Sequence, residues 1–183
     1  GQLADGQISL IETAEEARAF TQKQAGKSLA YLTQTTLSVD ETAEIVGILK
    51  KRFPSIESPR KEDICYATTN RQAAVKILAE RCDGMLVIGA PNSSNSMRLV
   101  EVAEKSGCRQ VALVQRASDI PWDSLRNART IGITAGASAP ETLVEEVVDA
   151  FSQRFNIAVE EIITNQEQVV FKMPKILESE AAE

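Results

Sequence analysis

The chain has 183 residues, of which 43% are hydrophobic and 25% charged, and a formal net charge of −6. That length allows one large domain or two small ones, and the negative balance argues against nucleic acid, whose phosphates require a basic surface. No apolar run approaches the roughly 18 residues a membrane helix needs, and the N-terminus lacks a basic-then-apolar leader pattern, so a cytoplasmic protein without a membrane partner is expected.

Residues 8–12 read as a short strand, and Thr13-x-x-Glu16 as a capping box opening a helix to about Gln22. Residues 28–32 form a second predicted strand, ending at Thr33-Gln34-Thr35-Thr36. Ser38-x-x-Glu41 is another capping box, starting a helix with Ala43, Val46 and Leu49 on its inner face and Lys50-Lys51-Arg52 favourably placed at its C-terminal end. Two prolines interrupt residues 53–59, which sets a domain boundary there.

A more regular alternation follows. The pattern predicts strands over 63–66, 85–89, 110–114 and 130–133, and helices over 70–81, 96–106, 122–127 and 140–154. On the last helix Leu143, Val147 and Phe151 recur every four residues beside Val144 and Val148. Strands alternating with helices at this spacing imply right-handed crossovers and a parallel sheet, so the expected class is α/β with repeated parallel βαβ units. With aromatics at only 4%, such a core is built from Ala, Val, Leu and Ile. Three regions result: an incomplete α/β unit over 1–55, a complete unit over 56–155, and a tail over 156–183 with one strand at 168–171 and a disordered acidic end.

Four loops at the carboxyl ends of the predicted strands are rich in small hydrogen-bonding residues. They are the 33–36 loop, Cys65-Tyr66-Ala67-Thr68-Thr69-Asn70, Asn92-Ser93-Ser94-Asn95-Ser96 and Thr134-Ala135-Gly136-Ala137-Ser138. Ligands bind at this edge of open α/β sheets. The bland reading is helix capping: Thr69-x-x-Gln72 and Ser138-x-x-Glu141 have capping-box spacing, and Ser94 or Asn95 suits the next helix. Yet a cap needs one oxygen, whereas residues 92–96 offer five polar, uncharged groups, and Gly136 permits close backbone approach to a ligand. The Thr35-Thr36 and Thr68-Thr69 pairs form a weak internal echo. Neither a dinucleotide-binding glycine pattern nor a Walker sequence is present.

Cys65, Cys82 and Cys108 match neither a disulfide framework nor a C-x-x-C pair, and the sequence contains no histidine. Acid–base chemistry must therefore use carboxylates, hydroxyls, a metal, or residues outside this sequence. Cys65 stands at a strand end, where a metal ligand and a small buried hydrophobe are both open readings. Cys82 and Cys108 read as structural, and Glu145-Glu146 and Glu160-Glu161 as solvated faces.

The residues Asp63-Ile64-Cys65-Tyr66-Ala67-Thr68-Thr69-Asn70-Arg71-Gln72, Asn92-Ser93-Ser94-Asn95-Ser96 and Gly132-Ile133-Thr134-Ala135-Gly136-Ala137-Ser138-Ala139-Pro140 closely resemble the LytB-type 4-hydroxy-3-methylbut-2-enyl diphosphate reductases. Thr33-Gln34-Thr35-Thr36-Leu37-Ser38 matches a further motif of that family, and the resemblance runs from Gly1 to about Phe155. It implies three α/β units around a central [4Fe-4S] cluster, each unit giving one cysteine and one iron being open to the substrate hydroxyl. Two electrons, from an external donor of the ferredoxin or flavodoxin type, and two protons then convert the allylic alcohol to isopentenyl and dimethylallyl diphosphates, a step of isoprenoid biosynthesis.

Carried over by position, the resemblance makes Cys65 a cluster ligand and Thr35 the catalytic hydroxyl beside the substrate alcohol, with Thr36 assisting. It assigns Ser93, Ser94, Asn95 and Ser138 to the diphosphate, in competition with capping at Ser138. Family members are longer, with two further cluster cysteines, pocket histidines and a His-Pro-Glu glutamate upstream of the matching region. None of these is in this sequence. The expectation is the C-terminal portion of such an enzyme, inactive alone and paired with its missing N-terminal segment. The alternative is a non-catalytic diphosphate-binding module that has lost the redox half.

Overall fold

Five consecutive residues, Gly84-Met85-Leu86-Val87-Ile88, are all buried and form the middle strand of the sheet. The computed structural model describes residues 7–21, 28–61 and 63–164. In chain order the elements are α1 (Ala14–Ala19), α2 (Val39–Arg52), α3 (Tyr66–Arg81), β1 (Gly84–Ile88), α4 (Ser94–Lys105), β2 (Val111–Val114), a short 3-10 turn (Ala117–Asp119), α5 (Trp122–Leu125), β3 (Ile131–Ala135) and α6 (Glu141–Ser152). The sheet order is β2-β1-β3, both pairings are parallel, and Leu86 sits opposite Ala112 on one side and Ile133 on the other. The α/β class read from the sequence is the observed one.

Successive β1 side chains point to opposite faces. Met85 and Val87 join Val75 and Ala79 of α3 with Leu99, Val102 and Ala103 of α4. Leu86 and Ile88 join Val114, Ile120 and Leu125 with Val147 and Phe151 of α6. Two helical layers thus cover the sheet, each large buried aliphatic side chain stabilising the fold by roughly 1.5–3 kcal/mol. The turn from α4 to β2 closes through Gly107 at φ +93, whose N–H donates to Glu104 O while Cys108 N–H donates to Ala103 O.

The predicted first unit differs. Residues 8–12 form no strand, and Ile8 and Leu10 are 69% and 79% exposed, because a strand needs a neighbour to bond with. Of the strand expected over 28–32, a single parallel bridge between Ala30 and Glu57 forms, so the proline-rich boundary segment itself supplies the partner. Helix α2 is present with Ser38 as its cap, although Ala43 is exposed and Leu49 carries the buried contact. Residues 63–66 are not a strand either. Cys65 is extended, at φ −63 and ψ 137, and α3 starts directly after it, four residues before the expected helix start. The expected strand over 168–171 and the acidic end lie outside the described residues. No described helix is long and apolar enough to cross a membrane.

Candidate functional site at the carboxyl edge of the sheet

Three helix N-termini gather at one edge. Helix α3 runs into β1 and packs against α4, so its first turn lies at the end where β1 finishes and α4 begins. The 136–138 loop leaves β3 at the same end, held by a 2.8 Å bond from Gly136 N–H to Ile88 O. Cys65, residues 92–96 and Ser138 therefore share the edge where parallel sheets bind ligands.

Cys65 is half-buried, belongs to neither apolar cluster, and caps α3 without a side-chain hydrogen bond. Its N–H donates to Thr35 O at 3.1 Å, which fixes the Thr35–Thr36 turn beside it. Thr35 is exposed and Thr36 half-buried. The echo between Thr35-Thr36 and Thr68-Thr69 does not survive: the first pair lies in a turn and the second inside α3. The proposed Thr69–Gln72 capping box fails for the same reason. Thr69 hydroxyl instead donates to Cys65 O at 3.4 Å, and Gln72 bonds to another segment.

Asn95 is 9% exposed, and neither its Oδ1 nor its Nδ2 has a hydrogen-bond partner in the protein. A buried unpaired amide is unfavourable by roughly 1–3 kcal/mol, so such a group points to a ligand or a stored strain. Next to it, Ser96 is fully buried, and its side chain fills the space where Gly89 and Gly136 lack β-carbons. The room at Gly136 expected for a ligand is thus taken by Ser96, and a β-carbon there would also lie 3.7 Å from Asn95 Nδ2.

The cap of α4 is Ser93, not Ser94 or Asn95: its hydroxyl accepts from Ser96 N–H at 3.3 Å. A serine hydroxyl keeps its O–H donor after accepting one bond, so capping leaves Ser93 able to donate to an anion. Ser94 is exposed. Ser138 is exposed as well and does not cap α6, whose N-cap is Pro140 without a side-chain bond. The competition expected at Ser138 is therefore absent, because Pro140 already fixes the start of that helix.

An iron–sulfur cluster needs several thiolates, and the described residues offer one at this edge. No group of three or more Cys, Asp or Glu among them could hold a metal ion. Cys65 and Cys82 head and close the 16-residue α3, which sets them ~24 Å apart. Cys108 precedes β2 at the far edge and is buried. Burial raises the Cys82 thiol above its ordinary value, and Cys108 and Asp83 raise it further against the opposing Arg81. The described residues thus fit one cluster ligand and not a full set. A cavity of about 530 Å³ lined by Pro121, Trp122, Asp123 and Arg154 belongs to the α5 side and includes none of these groups.

Sequence reasoning overlooked three supports of this edge: Asp63, Gln72 and Ser96. A signal for Gln72 was present, since Thr68, Gln72, Val75 and Ala79 recur at helical spacing and all four are buried. A polar residue in a buried stripe has a partner to satisfy.

Residues 1–152 match the LytB protein family. A 4-hydroxy-3-methylbut-2-enyl diphosphate reductase of Cereibacter sphaeroides is 57% identical over 183 residues, covering 100% of this chain and 57% of the relative. A protein of Rhodopseudomonas palustris named 4-hydroxy-3-methylbut-2-enyl diphosphate reductase 2 is 55% identical over 183 residues, with the same two coverages. A solved structure of the E-1-hydroxy-2-methyl-but-2-enyl-4-diphosphate reductase from Plasmodium falciparum is similar with a TM-score of 0.82 at 31% identity, over 94% of this chain and 55% of that one. The chain spans little more than half the length of these relatives. With a match across most of its length and the same α/β fold, the chain belongs to the LytB protein family.

Proposed function

We propose that this chain is the C-terminal portion of an iron–sulfur reductase that removes the hydroxyl of 4-hydroxy-3-methylbut-2-enyl diphosphate, giving isopentenyl and dimethylallyl diphosphates. The observation that carries this reading is the buried, unpartnered amide of Asn95 at the carboxyl edge. A diphosphate satisfies it: Nδ2 donates to a phosphate oxygen, and Oδ1 accepts from a protonated phosphate oxygen or a bound water.

The other groups act by binding and orientation. The hydroxyls of Ser93, Ser94 and Ser138 donate to phosphate oxygens, and the unpaired N–H groups in the first turn of α4 add to the attraction for an anion. The grip is uncharged throughout, so it relies on hydrogen-bond geometry more than on long-range attraction. Thr35, held beside Cys65, hydrogen-bonds the substrate hydroxyl, and Thr36 supports that turn. Cys65 gives one thiolate to a [4Fe-4S] cluster. The other ligands come from the part of the longer protein that this chain does not span, for which exposed Ile8, Leu10 and Leu32 offer an apolar contact surface. The electron donor is external, of the ferredoxin or flavodoxin type.

Calorimetric titration of the allylic diphosphate into the iron-free full-length protein tests the grip. Saturable binding is expected, weakened at least tenfold in Asn95→Ala and in Ser138→Ala. Equal affinity in all three proteins would rule out this site. Anaerobic turnover by the full-length protein, and none by this chain alone, tests the division of labour.

A further inference from the structure

Alternate residues of the 33–39 segment are bonded to α3 or its lead-in. Thr33 N–H donates to Asp63 Oδ2 at 2.7 Å, and its hydroxyl to the same oxygen at 3.3 Å. Thr35 O accepts from Cys65 N–H at 3.1 Å. Leu37 O accepts from Gln72 Nε2 at 2.9 Å, and Val39 N–H donates to Gln72 Oε1 at 3.0 Å. Thr35 and Thr36 are thus pinned from both sides, upstream by Asp63 and Cys65, downstream by Gln72.

Gln72 is 1% exposed and lies seven residues after Cys65, about two turns along the same helix. Its amide gives Leu37 and Val39 the donor and acceptor that a neighbouring strand would give. Val39 is the first residue of α2, whose N–H has no partner within its own helix. Ser38, the cap, bonds Glu41 N–H at 3.4 Å and leaves Val39 to Gln72. Salt bridges from Lys76 to Asp40 and from Arg98 to Glu41 connect the same helix start to α3 and α4, but their groups reach solvent and are weak. The buried amide provides the directional part of the join.

We propose that Gln72 is a positioning residue: it holds the Thr35–Thr36 turn against α3 and so sets Thr35 relative to the Cys65 sulfur. The functional half of this proposal rests on the reductase reading above; the structural half does not.

Two variants separate the possibilities. Gln72→Leu removes both bonds at similar size, and Gln72→Glu keeps the acceptor for Val39 while losing the donor to Leu37. Hydrogen exchange at single-amide resolution in the full-length protein reports on the Thr33 and Cys65 N–H groups, with Val87 of the middle strand as an internal standard. Val147→Ala, which loosens the core from α6 without touching the segment or the standard, is the control. Exchange at Thr33 and Cys65 relative to Val87 is expected to rise at least tenfold in Gln72→Leu and severalfold in Gln72→Glu, and not to rise in Val147→Ala. If Gln72→Leu does not fold, the Gln72→Glu ratio decides. Wild-type ratios in the folded Gln72 variants would overturn the proposal.

In the full-length enzyme, Gln72→Glu is expected to lower kcat at least tenfold with KM changed less than twofold, since the diphosphate grip is on α4 and the 136–138 loop. A rise in KM with kcat intact would also overturn it. A wild-type protein without turnover would sink the reductase reading while leaving the exchange result to decide the clamp.

Discussion

The Ser96 hydroxyl occupies the space that a β-carbon on Gly136 would need, with its oxygen 2.5 Å from that carbon's position. Ser96 thereby wedges the first turn of α4 against the loops leaving β1 and β3, with Asn95 alongside. Gly136→Ala forces Ser96 to move and is expected to destabilise the protein by about 1–3 kcal/mol. In Ser96→Ala/Gly136→Ala the nearest remaining atoms, Ser96 Cβ and Asn95 Nδ2, would lie at 3.6 and 3.7 Å, which is ordinary contact. The double variant should therefore recover most of the loss in urea denaturation. At Gly89 the Ser96 Cβ itself lies 2.6 Å from the added carbon, so Ser96→Ala should not rescue Gly89→Ala. Rescue at both glycines, or at neither, would contradict the wedge.

On the proposed reading, Asn95 sets stability against binding. Its buried amide has no protein partner, so replacing it with an apolar residue of similar size removes an unsatisfied group. Asn95→Leu is expected to leave the unliganded protein as stable as wild type or up to ~1 kcal/mol more so. The same change should weaken the allylic diphosphate at least tenfold. A large drop in the urea midpoint would mean that the amide serves the fold and not a ligand.

Asp83 gives a pH-dependent join at the opposite edge. Its carboxylate accepts from Thr130 N–H at 3.0 Å and Arg129 N–H at 2.8 Å, and these bonds, Thr130 first, hold its pKa below the ordinary 3.8. A carboxyl whose folded pKa is depressed contributes stability above the unfolded value and loses it as pH falls through the folded one. The gap in urea midpoint between wild type and Asp83→Ala should thus be widest at neutral pH and narrow below pH 3.8. A gap that is constant or grows on acidification would remove the carboxylate from this role.

How much could be read in the sequence depended on where the partners lie. Strands β1, β2 and β3 and helices α4 and α6 were legible because their apolar patterns are satisfied inside the chain, as with Leu143, Val147 and Phe151. Residues 8–12 and 28–32 carry strand-like patterns, yet among the described residues the first forms no strand and the second only the Ala30–Glu57 bridge, so apolar spacing alone overstates them. Ile64, Cys65 and Tyr66 read as a strand end, yet the buried stripe of Thr68, Gln72, Val75 and Ala79 draws the helix start back to Tyr66. Caps were legible at Thr13 and Ser38, where one candidate stands before the helix, but not at α4: Ser93, Ser94 and Asn95 have similar cap propensity, and the choice of Ser93 follows from Asn95 and Ser96 being buried.

The two remaining cysteines bear on which sulfur can bind metal. Burial is the largest influence raising the Cys82 thiol, followed by Cys108 and Asp83, while Cys108 is only 5% exposed. Thiolates, not thiols, alkylate and ligate iron, so a thiol held protonated is slow at both. With iodoacetamide at mildly alkaline pH, Cys82 and Cys108 should label in the native protein well below their rates in urea. Removing the Asp83 charge with Asp83→Asn should speed Cys82 labelling, though less than unfolding does. In the reconstituted full-length protein, Cys82→Ser and Cys108→Ser should keep the visible absorbance of the cluster, whereas Cys65→Ser should lower it severalfold. A cluster that tolerates loss of Cys65 but not of Cys82 would move the metal site to the other end of α3, ~24 Å along the 16-residue helix and away from Thr35, Asn95 and Ser138.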